Sequence, residues 1–255
     1  MPSLWTMIVN RMRRHEVYSQ PAYWDTKAMS GDDLSASMWE NNRLNEYYHA
    51  EQMAAIRKCF PVLNGAHVLD LGCGCGRLSR IFAAGGATVT GIDFSAKAVE
   101  KARQKSSTYG PSLTFEQADL STMRLVGVFD IVASCACITF ACRNRKELFD
   151  LMGRVRKALK PEGHILLLEP IHSGFLHRVL NLGRREFLST LGDVGFRIVD
   201  VSPLHFWPVR LVLAYVNWPE AVTGFLYSIG QRAMRFLGLG DYIAIHAVAC
   251  NRSDG

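Results

Sequence analysis

The sequence has no long hydrophobic run. Its most apolar stretch, 211–219, is bounded by Arg210 and Glu220, whereas a membrane-spanning helix needs about 20 apolar residues in succession. The apolar start of the chain, 1–9, is followed by a cluster of arginines, whereas the basic residues of a secretory signal peptide precede its apolar core. We therefore expect a soluble protein of the cytoplasm, with peripheral contact to a membrane left open.

Charged residues are also scarce, at 20% of the chain, while 49% of the positions are hydrophobic. This composition is typical of a globular protein and excludes an intrinsically disordered one. Lysine and arginine outnumber aspartate and glutamate by 29 to 23, an excess that tolerates anionic partners without indicating any one of them. Seven cysteines, an odd number, indicate reduced thiols in the cytoplasm rather than a disulfide framework.

The hydrophobic periodicity changes along the chain, which has neither an internal repeat nor a low-complexity tract. Residues 1–60 repeat apolar positions at helical spacing and predict a helical cap. From position 66 onward, short apolar strands alternate with helices, which is typical of βαβ units and a parallel sheet covered on both faces. The strands are predicted at 67–71, 88–92, 113–117, 130–134, 164–169, 197–201 and 242–250. The helices that follow some of these strands are predicted at 96–104, 146–159 and 186–194, the last with a stop at Gly195.

A glycine-rich turn follows the first predicted strand. Residues 68–76 read VLDLGCGCG, and ligands of open α/β sheets bind at this carboxyl edge of the strands. Glycine lets backbone N–H groups approach a ligand closely, which indicates a nucleotide-like ligand, although a purely structural turn is the alternative. A dinucleotide-binding fingerprint would need glycine at position 77, where this chain has Arg77. The turn therefore argues against a nicotinamide-dependent oxidoreductase.

Two aspartates follow the next two strands. Asp93 is placed to accept hydrogen bonds from both hydroxyls of a ribose; its alternative is a helix N-cap. Asp119 is placed to bond the exocyclic amine of an adenine while Leu120 packs on the ring; its alternative is a solvated turn aspartate. Together with the glycine turn, these positions indicate a ligand that carries a ribose and an adenine.

Taken together, these positions resemble the class I S-adenosylmethionine (SAM)-dependent methyltransferases over roughly 23–169. The resemblance implies an α/β fold with a Rossmann-like, doubly wound, seven-stranded sheet, helices on both faces and an antiparallel last strand at 242–250. It also implies SAM as the cofactor. The implied SAM-binding residues are Asp70, Gly72, Cys73, Gly74 and Gly76 for the methionine end, Asp93 with Phe94 for the ribose, Asp119 with Leu120 for the adenine, and Ser134 with Cys135 in the loop after the fourth strand.

Methyl transfer from a sulfonium is an in-line displacement, so the protein must align the nucleophile, exclude water and, where needed, remove a proton. His172, just past the fifth predicted strand, is the first candidate for a catalytic base; a structural or surface histidine is the alternative. His49, His205 and Glu169 are weaker candidates. His164 is expected at the opposite edge of the sheet.

Four cysteines also fall near the predicted site: Cys73, Cys75, Cys135 and Cys137. A zinc or arsenic site is one interpretation of four neighbouring thiols. The alternative is that they are small apolar packing residues, which we favour because thiols gathered at the cofactor would leave little room for SAM. We therefore expect no metal.

The methyl acceptor is expected to be a small molecule. Methyltransferases that act on exocyclic amines carry an Asn or Asp, Pro, Pro and aromatic run after the fourth strand, whereas this chain has SCAC at 134–137. Oxygen, nitrogen, carbon and sulfur nucleophiles therefore stay open. The segment 203–241 is too apolar for a solvated loop; we expect it to roof a hydrophobic substrate, pair subunits or rest on a membrane, with packing onto the core as the alternative.

The sequence thus predicts a SAM-binding domain over 61–255, with a helical cap over 1–60, that methylates a small, lipophilic molecule. A homodimer and peripheral membrane contact are left open, and no nucleic acid partner is expected. Two other functions are weighed. An RNA methyltransferase is favoured by the basic composition but lacks an appended RNA-binding module, and a SAM-binding regulatory or scaffold protein would show no turnover.

Overall fold

The computed structural model describes residues 14–29, 39, 41–123, 128–171, 180, 182–214, 216–238 and 240–250. Two of the predictions made above fall on other parts of the chain: the candidate base His172 and the apolar segment 1–9 lie outside the described residues.

Within the described residues, seven strands form one sheet. In chain order they are β1 (His67–Leu71), β2 (Thr88–Asp93), β3 (Leu113–Gln117), β4 (Phe129–Cys135), β5 (Leu159–Glu169), β6 (Phe196–Phe206) and β7 (Gly240–Ala249). Their order across the sheet is β3-β2-β1-β4-β5-β7-β6. Strands β1 to β5 pair in parallel, whereas β7 is antiparallel to both β5 and β6. The predicted fold class is confirmed, and the switch point of the sheet lies between β1 and β4.

Helices cover both faces of this sheet. They are α1 (Arg14–Tyr18), α2 (Pro21–Met29), α3 (Asn42–Cys59), α4 (Arg77–Ala84), α5 (Ala96–Lys105), α6 (Ile138–Ala141), α7 (Arg145–Ala158), α8 (Arg184–Val194), α9 (Trp207–Leu213) and α10 (Glu220–Leu237). Side chains of β5 alternate between the two faces: Ile165 and Leu167 join a core with α7 and α8, while Leu166 and Leu168 join a second core with α3, α4 and α5. Each helix in the described ranges is too short or too polar to span a bilayer.

Helix ends follow local capping signals. The side-chain oxygen of Asn41 accepts a hydrogen bond from the backbone N–H of Leu44 at the start of α3, and Ser95 and Asn144 cap α5 and α7 in the same way. These oxygens satisfy amides that have no partner within the helix. Helix α8 ends at Gly195, whose φ of +99° is left-handed and favours glycine. The stop predicted at Gly195 is confirmed.

Two predicted boundaries are wrong. Strand β5 begins at Leu159, where it pairs with Phe129, and not at His164. Strand β6 continues through Pro203 to Phe206, so the segment between the last two strands is shorter than 203–241. The predicted boundary treats Pro203 as a strand breaker. Strand β6 is an edge strand, however, where a residue without an N–H is tolerated.

Helices α9 and α10 fill most of that segment. Helix α10 packs one side against α3, β6 and α9, as the alternative of packing onto the core expects. Its other side exposes an apolar stripe in which Phe225 is 66% and Phe236 90% exposed, with Val222 before them and Ile229 between them. Cover of this stripe by substrate, by a second copy or by a membrane stays a prediction.

Candidate cofactor-binding site

The glycine turn after β1 has the geometry of a ligand-binding loop. Gly72, Gly74 and Gly76 have φ values of +66°, +54° and +79°, a left-handed conformation that glycine adopts without strain. A side chain at position 72 would collide with the thiol of Cys137, and one at position 76 would meet the ring of Phe115 at 2.7 Å. At Gly74, by contrast, no atom lies within 4 Å of where a Cβ would be. The turn is therefore closely packed at both ends and open in the middle.

Asp93 holds the open part of this turn. Its Oδ2 accepts a hydrogen bond of 2.9 Å from the N–H of Gly74, and its Oδ1 accepts one of 2.9 Å from the N–H of Ser95. The side chain is 8% exposed, and burial raises the pKa of its carboxyl. The helix that follows is capped by the hydroxyl of Ser95 and not by Asp93. The structure thus brings the predicted ribose carboxylate next to the open backbone of the turn.

Asp70 is fully buried behind the turn. The hydroxyl of Ser79 in α4 donates a hydrogen bond of 2.5 Å to its Oδ2. Burial raises the pKa of Asp70 to about 6. Its predicted role at the methionine end of SAM stays a prediction, because in the structure its nearest polar partner is helix α4.

The structure supports the residues predicted to bind the adenine, and Phe94 beside the ribose, less directly than it supports Asp93. Asp119 is exposed, and its Oδ1 accepts a hydrogen bond from the N–H of Ser121 at 2.7 Å, the pattern of a turn aspartate. Leu120 is buried in the core on the α7 side. Phe94 is half-buried, and its carbonyl accepts a hydrogen bond from Gln117. Contact of these residues with adenosine stays a prediction.

Glu169, a weaker candidate for the base, is instead a structural carboxylate. It lies at the end of β5, fully buried, and burial raises the pKa of its carboxyl. Five hydrogen bonds reach it from the end of β4 and the start of α6: from the hydroxyls of Ser134 and Thr139 and from the N–H groups of Cys137, Ile138 and Thr139, at 2.8 to 3.2 Å. A carboxylate that is saturated in this way fixes the end of β4, with Ser134 and Cys135, against the start of α6. An isolated acid after an apolar strand does not reveal this role in the sequence.

We expect Glu169→Gln to lower the free energy of unfolding by about 2 kcal/mol, because an amide nitrogen would face N–H donors that lose their acceptor. Urea unfolding of the ligand-free chain measures this loss. Glu100→Gln, an exposed change at an ion pair with Lys97, is the control and should change stability little. An equal, small effect for both variants would contradict the structural role of Glu169.

The thiols of the site behave as packing groups. Cys73, Cys75, Cys135 and Cys137 all have their pKa raised by burial, that of Cys135 to about 12. Protonated thiols are poor nucleophiles and poor metal ligands. No group of three or more metal-binding side chains occurs among the residues that the structure describes.

Arg77, the first residue of α4, contacts helix α3. Its Nη1 lies 2.6 Å from Nδ1 of His49, and its Nη2 donates a hydrogen bond of 2.7 Å to Oε1 of Gln52. A guanidinium can only donate, so Nδ1 of His49 is an acceptor and the proton of its ring lies on Nε2. His49, the second weaker candidate for the base, therefore presents a donor at its other nitrogen. Sequence reasoning uses Arg77 only to exclude a dinucleotide and misses this contact.

The two other histidines lie elsewhere. His205 is fully buried, stacked on Tyr48 at 3.7 Å between ring centroids and adjoining Gln52, so it has no access to a substrate in this arrangement. His164 pairs with Ile131 in the middle of β4 and lies 3.0 Å from His246. It therefore lies away from the carboxyl edge, inside β5 and not at its start.

Comparison with known proteins gives the family. A family model described as a methyltransferase domain matches residues 68–163, the part of the chain from β1 into β5. The ubiquinone biosynthesis O-methyltransferase of Actinobacillus pleuropneumoniae serotype 5b is 45% identical over 207 residues, which cover 70% of this chain and 87% of that protein. The chain belongs to the class I SAM-dependent methyltransferases.

Two further comparisons agree with this membership. The mitochondrial ubiquinone biosynthesis O-methyltransferase of Schizosaccharomyces pombe is 32% identical to this chain over 142 residues, which cover 54% of this chain and 49% of that protein. The structure of magnesium protoporphyrin IX methyltransferase from Synechocystis PCC 6803 with bound SAM shares the fold, with a TM-score of 0.59, 19% identity, and coverage of 94% of this chain and 97% of that one. This chain spans only 32% to 58% of the length of four other curated relatives.

As a member of this family, the chain uses SAM as its cofactor, and the residues present fit it. The open space at Gly74 lies beside the carboxylate of Asp93, which suits a ribose with two hydroxyl donors. Glycine φ values at the turn let the backbone approach the ligand without a side chain between them.

Proposed function

We propose that the methyltransferase transfers a methyl group from SAM to an oxygen of a small, lipophilic acceptor. Oxygen is supported by the two relatives named as O-methyltransferases of ubiquinone biosynthesis. A lipophilic acceptor is supported by a cluster of aromatic side chains that α1 and α2 place over the segment after β4. The division into a cap, 1–60, and a SAM-binding domain, 61–255, is part of the same proposal.

This cluster, the aromatic roof, consists of Tyr18, Tyr23, Trp24 and Phe140. The ring of Phe140, in α6, lies 4.9 Å from that of Tyr18 and 6.0 Å from that of Trp24. Helix α2 is also bonded to the turn after β2, where Asp25 accepts a hydrogen bond of 2.6 Å from the hydroxyl of Ser95. It therefore extends from the turn after β2 to the loop after β4, on either side of the glycine turn. An apolar cover at this place excludes water and favours an apolar acceptor.

The chain's own residues then have separate tasks. Bound SAM supplies an electrophilic methyl group on a sulfonium. Asp93 accepts hydrogen bonds from the ribose, Gly74 leaves room for the ligand, and the aromatic roof keeps water from the reacting atoms. Because Glu169 is saturated and Nδ1 of His49 is occupied, His172 stays our candidate for removing a proton from the acceptor.

A series of 4-alkylcatechols, incubated with SAM labelled on its methyl group, tests this proposal. We expect kcat/KM to rise about fourfold for each added methylene, since burying one contributes about 0.8 kcal/mol, until the space under the aromatic roof is filled. Trp24→Ala should flatten this dependence. Trp218→Ala is the matched control, since each indole N–H donates to the carbonyl of the residue six positions earlier, Tyr18 or Val212.

Two results would contradict the proposal. Turnover confined to small polar acceptors would exclude a lipophilic substrate. Binding of SAM without turnover of any acceptor would favour the regulatory or scaffold protein.

A further inference from the structure

Arg77 is a half-buried cation whose close partners are neutral. Its guanidinium contacts the imidazole of His49 and the amide of Gln52 and also bonds the thiol of Cys135. Among the described residues no carboxylate lies within ion-pair distance of it. A buried charge is costly unless it is paired. Its charge acts on Asp70 at the end of β1 and on Cys135 at the end of β4, lowering the pKa of both against the effect of burial. Arg77 therefore lies at the switch point of the sheet.

A chain of hydrogen-bonding groups fixes the orientation of this guanidinium. Because Oε1 of Gln52 accepts from Arg77, the amide nitrogen of Gln52 faces Nε2 of His205 at 3.3 Å. That nitrogen must then be an acceptor, and the ring proton of His205 lies on Nδ1. Nδ1 is 3.0 Å from Oε2 of Glu51, although its N–H points off the line between them. The carboxylate of Glu51 is thus separated from Arg77 by the side chains of Gln52 and His205.

Glu51 is itself already engaged. It accepts the backbone N–H of His205 at 2.7 Å and also binds the hydroxyl of Tyr227 and the amide of Gln231 in α10. It therefore anchors the chain of groups from the far side and does not neutralise Arg77.

The other end of the chain of groups is His49. Its Nδ1 accepts from Arg77, and burial, with the charge of Arg77, lowers the pKa of the ring. Its Nε2–H has no hydrogen-bond partner within the described part of the chain. A neutral imidazole donor thus lies beside a guanidinium that has further N–H groups and, among the described residues, no carboxylate in ion-pair contact. This is the donor set that a carboxylate or another ionised oxygen accepts.

We propose that Arg77 and His49 form an oxyanion-binding pair at the switch point of the sheet. This inference rests on the proposed function, because the anion would come from one of its two ligands. One source is the α-carboxylate of the methionyl group of SAM, and the other is an ionised oxygen of the acceptor. Gln52 is a positioning residue for Arg77, and His205 and Glu51 hold Gln52 in turn.

Isothermal titration of the full chain and of Arg77→Gln with S-adenosylhomocysteine and with 5′-methylthioadenosine tests the first source. The second ligand keeps the adenosine but has no carboxylate. We expect the variant to bind S-adenosylhomocysteine roughly 10- to 100-fold more weakly, the usual size of a charge-assisted hydrogen bond, and 5′-methylthioadenosine as tightly as the unchanged chain does. Arg145→Gln, which removes a surface arginine paired with Asp193, is the control and should bind both ligands normally.

Benzoate and its uncharged analogue benzamide, titrated into the chain saturated with S-adenosylhomocysteine, test the second source. If the acceptor supplies the anion, Arg77→Gln weakens benzoate alone and leaves both adenosine ligands unchanged. Either pattern supports the pair. Equal losses for S-adenosylhomocysteine and 5′-methylthioadenosine, or no loss for any charged ligand, would overturn it. Failure of the unchanged chain to bind either adenosine ligand would instead refute the proposed function.

Discussion

Asp93→Ala should lose most of the stabilisation that S-adenosylhomocysteine gives to the methyltransferase. At a hundred times its dissociation constant, a ligand adds about 2.7 kcal/mol to the free energy of unfolding. If the variant binds a hundredfold more weakly, the same concentration adds only about 0.4 kcal/mol. The physical reason is that Asp93 is the buried carboxylate next to the open backbone of the turn, where it accepts the N–H of Gly74. Thermal unfolding with and without ligand measures both values.

The difference with and without ligand is the decisive quantity, because Asp93 also supports the folded chain through Gly74 and Ser95. Asp193→Ala, at a surface ion pair, is the control and should keep the full ligand effect. NADH should stabilise none of the chains. A variant without Asp93 that keeps the ligand effect would place the ribose elsewhere.

Asp70→Asn should raise the free energy of unfolding of the ligand-free chain at pH 7 by up to about 3 kcal/mol. The pKa of Asp70 is raised by burial to about 6, above the ordinary value of 3.8 for an aspartate, and each unit of difference corresponds to about 1.4 kcal/mol. The folded chain therefore binds the proton more readily than the unfolded chain, and stability falls as the pH rises from about 4 to 6. The asparagine variant has no such loss, and its oxygen can still accept from Ser79. Urea unfolding across pH 4 to 8 measures the difference.

Asp130→Asn provides the opposite sign. Burial works against ionisation of Asp130, but the hydrogen bonds from Lys160 and His67 outweigh it and lower the pKa of this carboxyl. Its removal should destabilise the chain above about pH 4, the range in which the carboxylate is formed. If both variants changed stability in the same direction, the buried carboxylate of Asp70 would not carry the cost we assign to it. The gain from Asp70→Asn should come with weaker binding of SAM, since natural sites often trade stability for function.

The sequence predicts those parts of the site that lie within one strand and the turn after it. The glycines, Asp70 and Asp93 belong to such units, and the alternation of apolar residues is enough to place them at one edge of the sheet. Boundaries fail where tertiary context decides, as at Pro203, which an edge strand accommodates. Local patterns contain no information on whether a strand will be central or at the edge.

The parts that the sequence does not reveal are contacts between distant segments. Arg77 meets His49 across 28 positions, and Glu169 meets Ser134 across 35. In the sequence, Arg77 serves only to exclude a dinucleotide-binding fingerprint, and Glu169 is a candidate for proton transfer. In the structure, each acquires its role from partners on another element. Glu169 changes from a possible base into a structural acceptor for this reason.

Ser95 is shared by two carboxylates. Its backbone N–H binds Asp93, and its hydroxyl binds Asp25 of helix α2. Anything that detaches α2 therefore loosens the same turn that restrains the carboxylate predicted to bind the ribose, and a ligand that holds Asp93 in place helps to hold α2. We therefore expect release of S-adenosylhomocysteine to be coupled to separation of helix α2 from Ser95.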